Sequence, residues 1–346
     1  MTKKHVVVIG GGTGTYQVLV GLKQYPQLEL SAVVAMSDSG GSSGRLRTEF
    51  GMLPPGDIRR ALLALSSLPI REKTLERLFD FRFKNGKELR GHSLGNIFLA
   101  ALTQITGSPE KAIAEAERIL AVSGRVLPVT LDNTHLCAVL ADGSRIVGER
   151  RIDIREEKPK VPIKKVYLRP KARVFSQARD AILKADLIVL GPGDLYTSII
   201  PNLLVSGVTH AIAKSRGKII FVVNLMTKHG ETDNFTTSEF VKEIKCYLDG
   251  AARKLSCVIV NDSLPKGKIL SWYKRFKAQP VKDDLQSRPP VRRTSRFGEG
   301  LSGPADLNGT LSFQTLRGNF VENGIDTTHL IRHSPQKLAK TLIKLL

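Results

Sequence analysis

The chain has 346 residues, 41% of them hydrophobic and 25% charged, which is enough apolar material for one large α/β core or two smaller ones. No apolar run approaches the roughly 18–20 residues of a membrane span, and the opening MTKKHVVVIGGG passes from a short apolar run straight into glycines, which reads as a first core strand rather than a signal peptide. The formal net charge of +21 suits nucleic acid, an anionic surface or phosphorylated ligands, but the basic residues are spread from end to end without a helix-turn-helix, zinc finger or RNA-binding aromatic signature, so no specific nucleic acid is expected.

The three cysteines, Cys137, Cys246 and Cys257, are widely spaced and form no CxxC pair. They read as reduced core thiols of a cytoplasmic protein.

In chain order, Val6–Ile9 is a continuous β-branched run, the pattern of a strand covered on both faces. Gly10, Gly11, Gly12, Thr13 and Gly14 follow, then a helix over Thr15–Gln24 and a second strand over Leu30–Ala35. This βαβ opening implies parallel pairing, and its glycines allow backbone amides to approach a ligand at the helix start. The spacing is not the GxGxxG of dinucleotide-binding folds.

Met36–Ala64 reads as a polar glycine loop leading into a helix over Ile58–Leu68. Asp38 sits just past the second strand, where it could take a ribose hydroxyl, a metal or a reacting hydroxyl, or simply cap a turn. Gly40, Gly41, Ser42, Ser43 and Gly44 permit an anion-binding nest, and Arg45 and Arg47 could neutralise a diphosphate. Asp57 is placed as either the N-cap of the next helix or a functional acid. Arg59 and Arg60 lie in that helix's first turn, an unfavourable place for cations without an anion nearby.

A helix is expected over Lys73–Phe83, and Gly91–Asn96 opens a further helix over Ile97–Ile105, with His92 and Asn96 on one face. Ser108–Val122 has the Ser-Pro-Glu start of an amphipathic helix. Residues 126–168 read as a β-rich insertion, with a hairpin of Leu136–Leu140 and Arg145–Gly148, carrying little chemistry and serving as a lid or dimerisation element. The α/β pattern resumes with a helix over Gln177–Lys184 and a strand over Leu187–Leu190. Gly191, Pro192, Gly193, Asp194, Leu195, Tyr196, Thr197 and Ser198 follow, then a helix from Pro201 to Lys214 with Asn202 in its first turn. Asp194, Thr197 and Ser198 could contact phosphate, ribose or metal. Strands over Ile219–Asn224 and Cys257–Val260 bring the parallel sheet to at least five strands, with a third polar loop after Asn224 and a helix over Thr236–Lys245. Residues 281–311 are rich in Pro, Gly, Ser and Arg without periodicity and are expected to be a mobile loop. A short strand near Phe320–Val321 and a helix over Pro335–Leu346 close the chain.

The ordered motifs GGGTG, DSGGSSGRLR, PPGDIRR, GHSLGN, GPGDLYTSIIPNL and NLMTKHGET resemble the CofD-like family and, within it, the bacterial gluconeogenesis factors. The resemblance runs from Val6 to about Pro265 and weakly again at Ile331–His333. It implies a single Rossmann-like α/β domain over residues 1–346, with helices on both faces of a parallel sheet and the ligand at the C-terminal strand edge. Members of the transferase branch join a nucleotide-activated phospholactate to a deazaflavin with Mg²⁺ assistance. Gluconeogenesis factors resemble UDP-sugar binders that support cell shape and wall synthesis during gluconeogenic growth, and a homo-oligomer is expected.

By the same resemblance Gly12, Thr13, Asp38, Asn202, Asn224 and Gly191–Ser198 line the nucleotide site, with Tyr273 and Arg332 as candidates to stack on or pair with a uridine diphosphate. The transferases carry a Gly-Asp-Asp pair where this chain has Asp38 followed by Ser39–Gly40–Gly41, and Asp194 stands where gluconeogenesis factors have Ser. The reading is therefore a nucleotide-sugar binder. The alternative is a 2-phospho-L-lactate transferase-like enzyme in which Asp38 and Asp194 are catalytic and hold Mg²⁺.

Overall fold

The structure, a computed structural model, describes residues 2–68, 72–156, 158, 160–263, 269–285, 313–322 and 331–346. Strand β1 (Lys4–Gly10) carries the Val6–Ile9 run, at most 1% exposed, and passes through α1 (Gly12–Leu22) to β2 (Leu28–Val34), which lies parallel to it with Val6 opposite Leu30. Helices α2 (Gly41–Phe50), α3 (Pro55–Leu65), α4 (Glu72–Asp80), α5 (Leu94–Thr106) and α6 (Pro109–Ile119) lead to β3 (Arg125–Pro128), beside β2. The chain then leaves the sheet. Strands β4 (His135–Leu140) and β5 (Arg145–Val147), helix α7 (Glu149–Asp153) and strand β6 (Ile163–Arg169) make a three-stranded antiparallel sheet in the order β5-β4-β6 with a helical appendage.

Helix α8 (Ser176–Lys184) returns the chain to β7 (Leu187–Leu190), which pairs with β1. A π-helical turn (Leu195–Ile199), α9 (Ile200–Leu203) and α10 (Val208–Lys214) precede β8 (Lys218–Val222). Helix α11 (Thr237–Leu248), β9 (Leu255–Asn261), α12 (Ile269–Arg275), β10 (Gln314–Gly318) and α13 (Pro335–Ile343) complete the order. Among the described residues no helix is long and apolar enough to cross a membrane.

The main sheet has seven parallel strands in the order β10-β9-β8-β7-β1-β2-β3. Helices cover both faces; α1 packs with α3 and α13, and α8 with α10. The winding reverses between β1 and β7: the chain builds outward from β1 to β3, then restarts at β7 and builds the other way. A crevice opens at such a switch point, outside the carboxyl ends of the strands. The glycine loops after β1 and β7 stand on its two sides.

Several elements differ from the sequence reading. The stretch after Met36, which by sequence reads as a polar loop, is largely helical, because Leu46 and Arg47 of α2 are buried and Gly51 ends the helix in the left-handed conformation at φ 63°. Asp57 is not a cap; it is the third residue of α3, whose N-cap is Pro54. The expected helix over Pro201–Lys214 is broken before Val208, where Ser206 donates its N–H to Ala172 O at 2.9 Å and Gly207 turns at φ 99°. The strand at Val126 belongs to the main sheet rather than to the insertion. The strand expected near Phe320 lies earlier, as β10, and Val321 makes only an isolated bridge to His333. Cys246 is exposed, unlike Cys137 and Cys257. The expected mobile loop falls mostly on residues 286–312, outside the described residues; Lys282 bridges Thr236.

Candidate functional site

The loop after β1 is clamped between two neighbours. Gly12 donates its N–H to Asp57 Oδ1 at 2.8 Å, and a Cβ on Gly14 would stand 2.3 Å from Pro192 O, so the backbone there approaches the β7 loop more closely than any side chain allows. From beneath, the fully buried Asn202 ties the two loops together, donating to Ser198 O at 2.8 Å and Gly10 O at 3.3 Å. Asn202 is thus a fastener and lines neither of the cavities described below. Gly193 N–H donates to Asn224 Oδ1 at 3.5 Å, linking the β7 loop to the end of β8.

Lys228 lies at the centre of the polar loop after β8. Its ammonium reaches Asp194 Oδ2 at 2.6 Å and Glu231 Oε1 at 2.9 Å and also pairs with Asp153. Oxygens of the three carboxylates lie within 4.8 Å of one another. Burial works against the lysine's charge, but Glu231, Asp194 and Asp153 hold its pKa well above the ordinary value. Burial also pushes the Glu231 carboxyl up to about 7, against the pull of Lys228. Glu231 further accepts from Thr197 Oγ1 at 3.2 Å and Tyr196 N–H at 3.3 Å, which commits Thr197 to the protein.

These loops floor a cavity of about 710 Å³. Thr13, Gly14, Gly193, Asp194, Asn224 and Lys228 line its base, and Trp272, Tyr273, Phe276, Arg332 and His333 line its outer wall. Tyr273 accepts the Ile331 N–H at 2.8 Å, which fixes its ring. Burial lowers the His333 pKa to about 4, so the imidazole is neutral at pH 7.

A second chamber of about 220 Å³ opens at the N-terminal ends of α2 and α3. Asp38, Gly40, Gly41, Ser42, Ser43, Asp57, Arg59, Arg60, Arg82 and Asn96 line it. His92 and Asn96 converge on Ser42: His92 Nδ1 lies 3.0 Å from its hydroxyl, and Asn96 donates to it at 3.1 Å. His92 precedes α5, so the two meet through Ser42 rather than along one helix face. Asp38 Oδ1 accepts the Gly40 N–H at 2.8 Å. Asp57 is half-buried, and desolvation together with the Asp38 charge raises its pKa to about 6.

Arg45 and Arg47, expected to neutralise a diphosphate, stand apart from both cavities. Arg45 donates to Arg90 O at 2.6 Å and Arg47 Nε to Asn133 Oδ1 at 3.1 Å; neither lines either cavity. Asp38 and Asp194 are set against different partners, one on Gly40 and the other on Lys228.

The insertion, expected to carry little chemistry, instead delivers Glu149, Asp153 and Arg155 to the crevice. Ser39 N–H donates to Glu149 Oε2 at 3.3 Å, Arg150 N–H to Ser39 Oγ at 3.1 Å, and Asp153 meets Lys228. Helix α7 therefore straddles the loops after β2 and β8. Burial, then the charges of Asp38 and Asp153, push the Glu149 carboxyl up to about 9. The signal available was the charge-dense run ERRIDIR directly after the Gly148 turn.

Comparison with known proteins agrees with this architecture. The family model described as 2-phospho-L-lactate transferase CofD matches residues 6–295. The gluconeogenesis factor of Halalkalibacterium halodurans is 43% identical over 81% of this chain and 84% of its own length. That of Bacillus subtilis is 36% identical over 99% of this chain and 98% of its own. The X-ray structure of a Bacillus halodurans protein superposes with a TM-score of 0.84 at 36% identity, covering 99% of this chain and 100% of that one.

Proposed function

The chain belongs to the CofD family, and from that premise we propose that it is a gluconeogenesis factor that binds a nucleotide sugar of the UDP-sugar type in the larger cavity, in the cytoplasm, and supports cell shape and wall synthesis during gluconeogenic growth. The observation that carries the binding is the cavity itself. At about 710 Å³ it has the size of a small-molecule site, roughly 300–1,000 Å³, and it lies at the switch point of the sheet. Its base offers backbone amides of two glycine loops to a diphosphate, and its outer wall offers the Tyr273 and Trp272 rings to a base and Arg332 to the phosphates.

Magnesium-assisted transfer is the second reading, and the acids argue against it. The donor set of Asp153, Asp194 and Glu231 has the oxygen chemistry of a Mg²⁺ site, but the Lys228 ammonium already sits among those oxygens. Asp38 does not join them, so a cation shared by Asp38 and Asp194 does not fit this arrangement. Binding without turnover is the better account.

Isothermal titration with UDP-N-acetylglucosamine in the presence of a chelator tests it. Trp272 is the chain's one tryptophan and lines the cavity, so its fluorescence should change in step with the heat. Absence of binding at millimolar ligand overturns the reading.

A further inference from the structure

The three-stranded sheet of the insertion has two unlike faces. Strand alternation sends Leu136, Ala138, Ile146, Val166 and Leu168 inward, where each is at most 8% exposed. The opposite face runs through three cross-strand rows. Val147, Cys137 and Tyr167 form one, Arg145, Val139 and Lys165 the next, and His135 with Arg169 the third. Val147 is 52% exposed, and Arg145, Lys165 and Arg169 stand in solvent. No acid occupies a position in these rows, so Arg145 and Lys165 flank Val139 without a cross-strand partner of opposite charge. Asp142, Glu149 and Asp153 of the same insertion are turned to Lys158, Ser39 and Lys228 instead. Burial, then the charge of Arg47, lower the His135 pKa, so its imidazole is mostly neutral at pH 7.

We propose that this face docks the protein reversibly on an anionic lipid surface, with Arg145, Lys165 and Arg169 against the headgroups and Val147 and Tyr167 at the acyl boundary. Charge and size both select this occupant. Cations gain energy near an anionic leaflet, and an exposed aliphatic beside a tyrosine adds the apolar half of an interfacial contact. Three strands about 4.8 Å apart and about five residues long make a platform on the order of 250 Å². A stable protein partner needs about 800 Å² on each side, whereas a bilayer sets no such minimum. A second copy would also bring the same three cations against themselves. RNA bound on a sheet stacks bases on two or three aromatic rings, and these rows hold one, Tyr167. The inference stands whether or not the larger cavity takes a nucleotide sugar.

The test is co-sedimentation of the full chain with phosphatidylcholine vesicles, with and without phosphatidylglycerol, at about 0.15 M salt, where exposed charges are screened beyond about 8 Å. Binding is expected only to the anionic vesicles. Lys165→Gln and Arg169→Gln should each weaken it about fivefold, the equivalent of ~1 kcal/mol per cation near such a surface, and the pair about 25-fold. Lys214→Gln with Arg216→Gln removes the same charge from exposed positions at and just past the end of α10, and should stay within about twofold of the wild type. Val147→Ser should weaken vesicle binding about threefold through lost apolar burial and leave binding of a single-stranded oligonucleotide unchanged. All these variants alter exposed side chains, and thermal unfolding checks that each keeps the fold. Absence of a preference for anionic vesicles overturns the proposal. Equal losses in the two double variants do so as well, since they would mark attraction by the overall charge of +21 alone. Vesicle binding indifferent to Val147→Ser, or an oligonucleotide that follows the vesicles through every variant, would assign the face to polyanions in general and overturn the lipid assignment. No arm of the test uses a nucleotide sugar, so the functional reading and this inference fail separately.

Discussion

Gly12 and Asp57 are joined by a 2.8 Å hydrogen bond from backbone amide to half-buried carboxylate, and this bond pins the first glycine loop to the start of α3. The carboxylate bears the cost of its position. Desolvation, with Asp38 adding to it, raises its pKa from 3.8 to about 6, and the Gly12 bond offsets only part of that. The folded chain therefore holds this proton more tightly than the unfolded chain does. Asp57's contribution is fully present below about pH 4 and is lost as pH rises through 6, a loss of about 3 kcal/mol by the usual linkage. Asp57→Asn keeps the acceptor for Gly12 and cannot titrate. Urea unfolding at pH 4 and pH 7 should show the variant gaining on the wild type by about 1–3 kcal/mol at the higher pH. An equal difference at both pH values rejects this account.

Lys228 balances three carboxylates, and its removal should be felt twice. Lys228→Met leaves Asp153, Asp194 and Glu231 facing one another across less than 4.8 Å. Breaking a buried ion pair costs about 3–5 kcal/mol, and the partial exposure of Asp153 and Asp194 puts this case at the lower end. The same substitution frees three oxygens at a spacing a hard divalent cation can bridge. Millimolar Mn²⁺ or Mg²⁺ should raise the melting temperature of Lys228→Met and leave the wild type unchanged. A wild type stabilised as much as the variant would show that the ammonium is not the resident cation.

Tyr273 offers a ring to the larger cavity while its hydroxyl accepts from Ile331 N–H. Two substitutions separate these roles. Tyr273→Ala removes both and should weaken UDP-N-acetylglucosamine by about 1–3 kcal/mol, the range for loss of a base-stacking aromatic. Tyr273→Phe keeps the ring and should stay within about threefold of the wild type, the lower end for a neutral hydrogen bond. Calorimetry on both variants decides the point. Equal losses would assign the effect to the Ile331 bond and its segment instead of stacking.

The strands and glycine loops were legible because their physics is local. Val6–Ile9 and Leu187–Leu190 are covered on both faces, so burial writes an unbroken apolar run into the sequence. Gly14 and Gly191 mark places where backbone meets backbone or turns at positive φ. Lys228 and Glu231 stand in a loop that reads only as polar, and Glu149 and Asp153 in an insertion that reads as carrying little chemistry, because nothing near them in sequence reveals that the three-stranded sheet folds α7 back over the crevice. Arg45 and Arg47 stand apart from both cavities for the complementary reason. A helix turned them away from the chamber, and helix α2 was hidden by glycines whose low propensity was outweighed by the burial of Leu46 and Arg47.

Gly95, at the start of α5, sets two effects of opposite sign against each other. By helix propensity alone, Gly95→Ala should stabilise by about 1 kcal/mol. A Cβ there would lie 2.6 Å from Arg59 Cδ and 2.6 Å from Phe79 Cδ1. Neither neighbour can withdraw cheaply. Arg59 is held by Asn96 at 3.0 Å and by Asp80, and Phe79 is buried edge-on against Phe98 with ring centroids 5.3 Å apart. Overpacking of a well-filled site costs about 1–3 kcal/mol, so the clash should outweigh the propensity gain. Urea unfolding of Gly95→Ala should show a net loss of about 1–2 kcal/mol with an unchanged m-value. A stabilised variant would mean that the α3–α4–α5 junction yields to a methyl group, and that Arg59 is not held rigidly at the chamber wall.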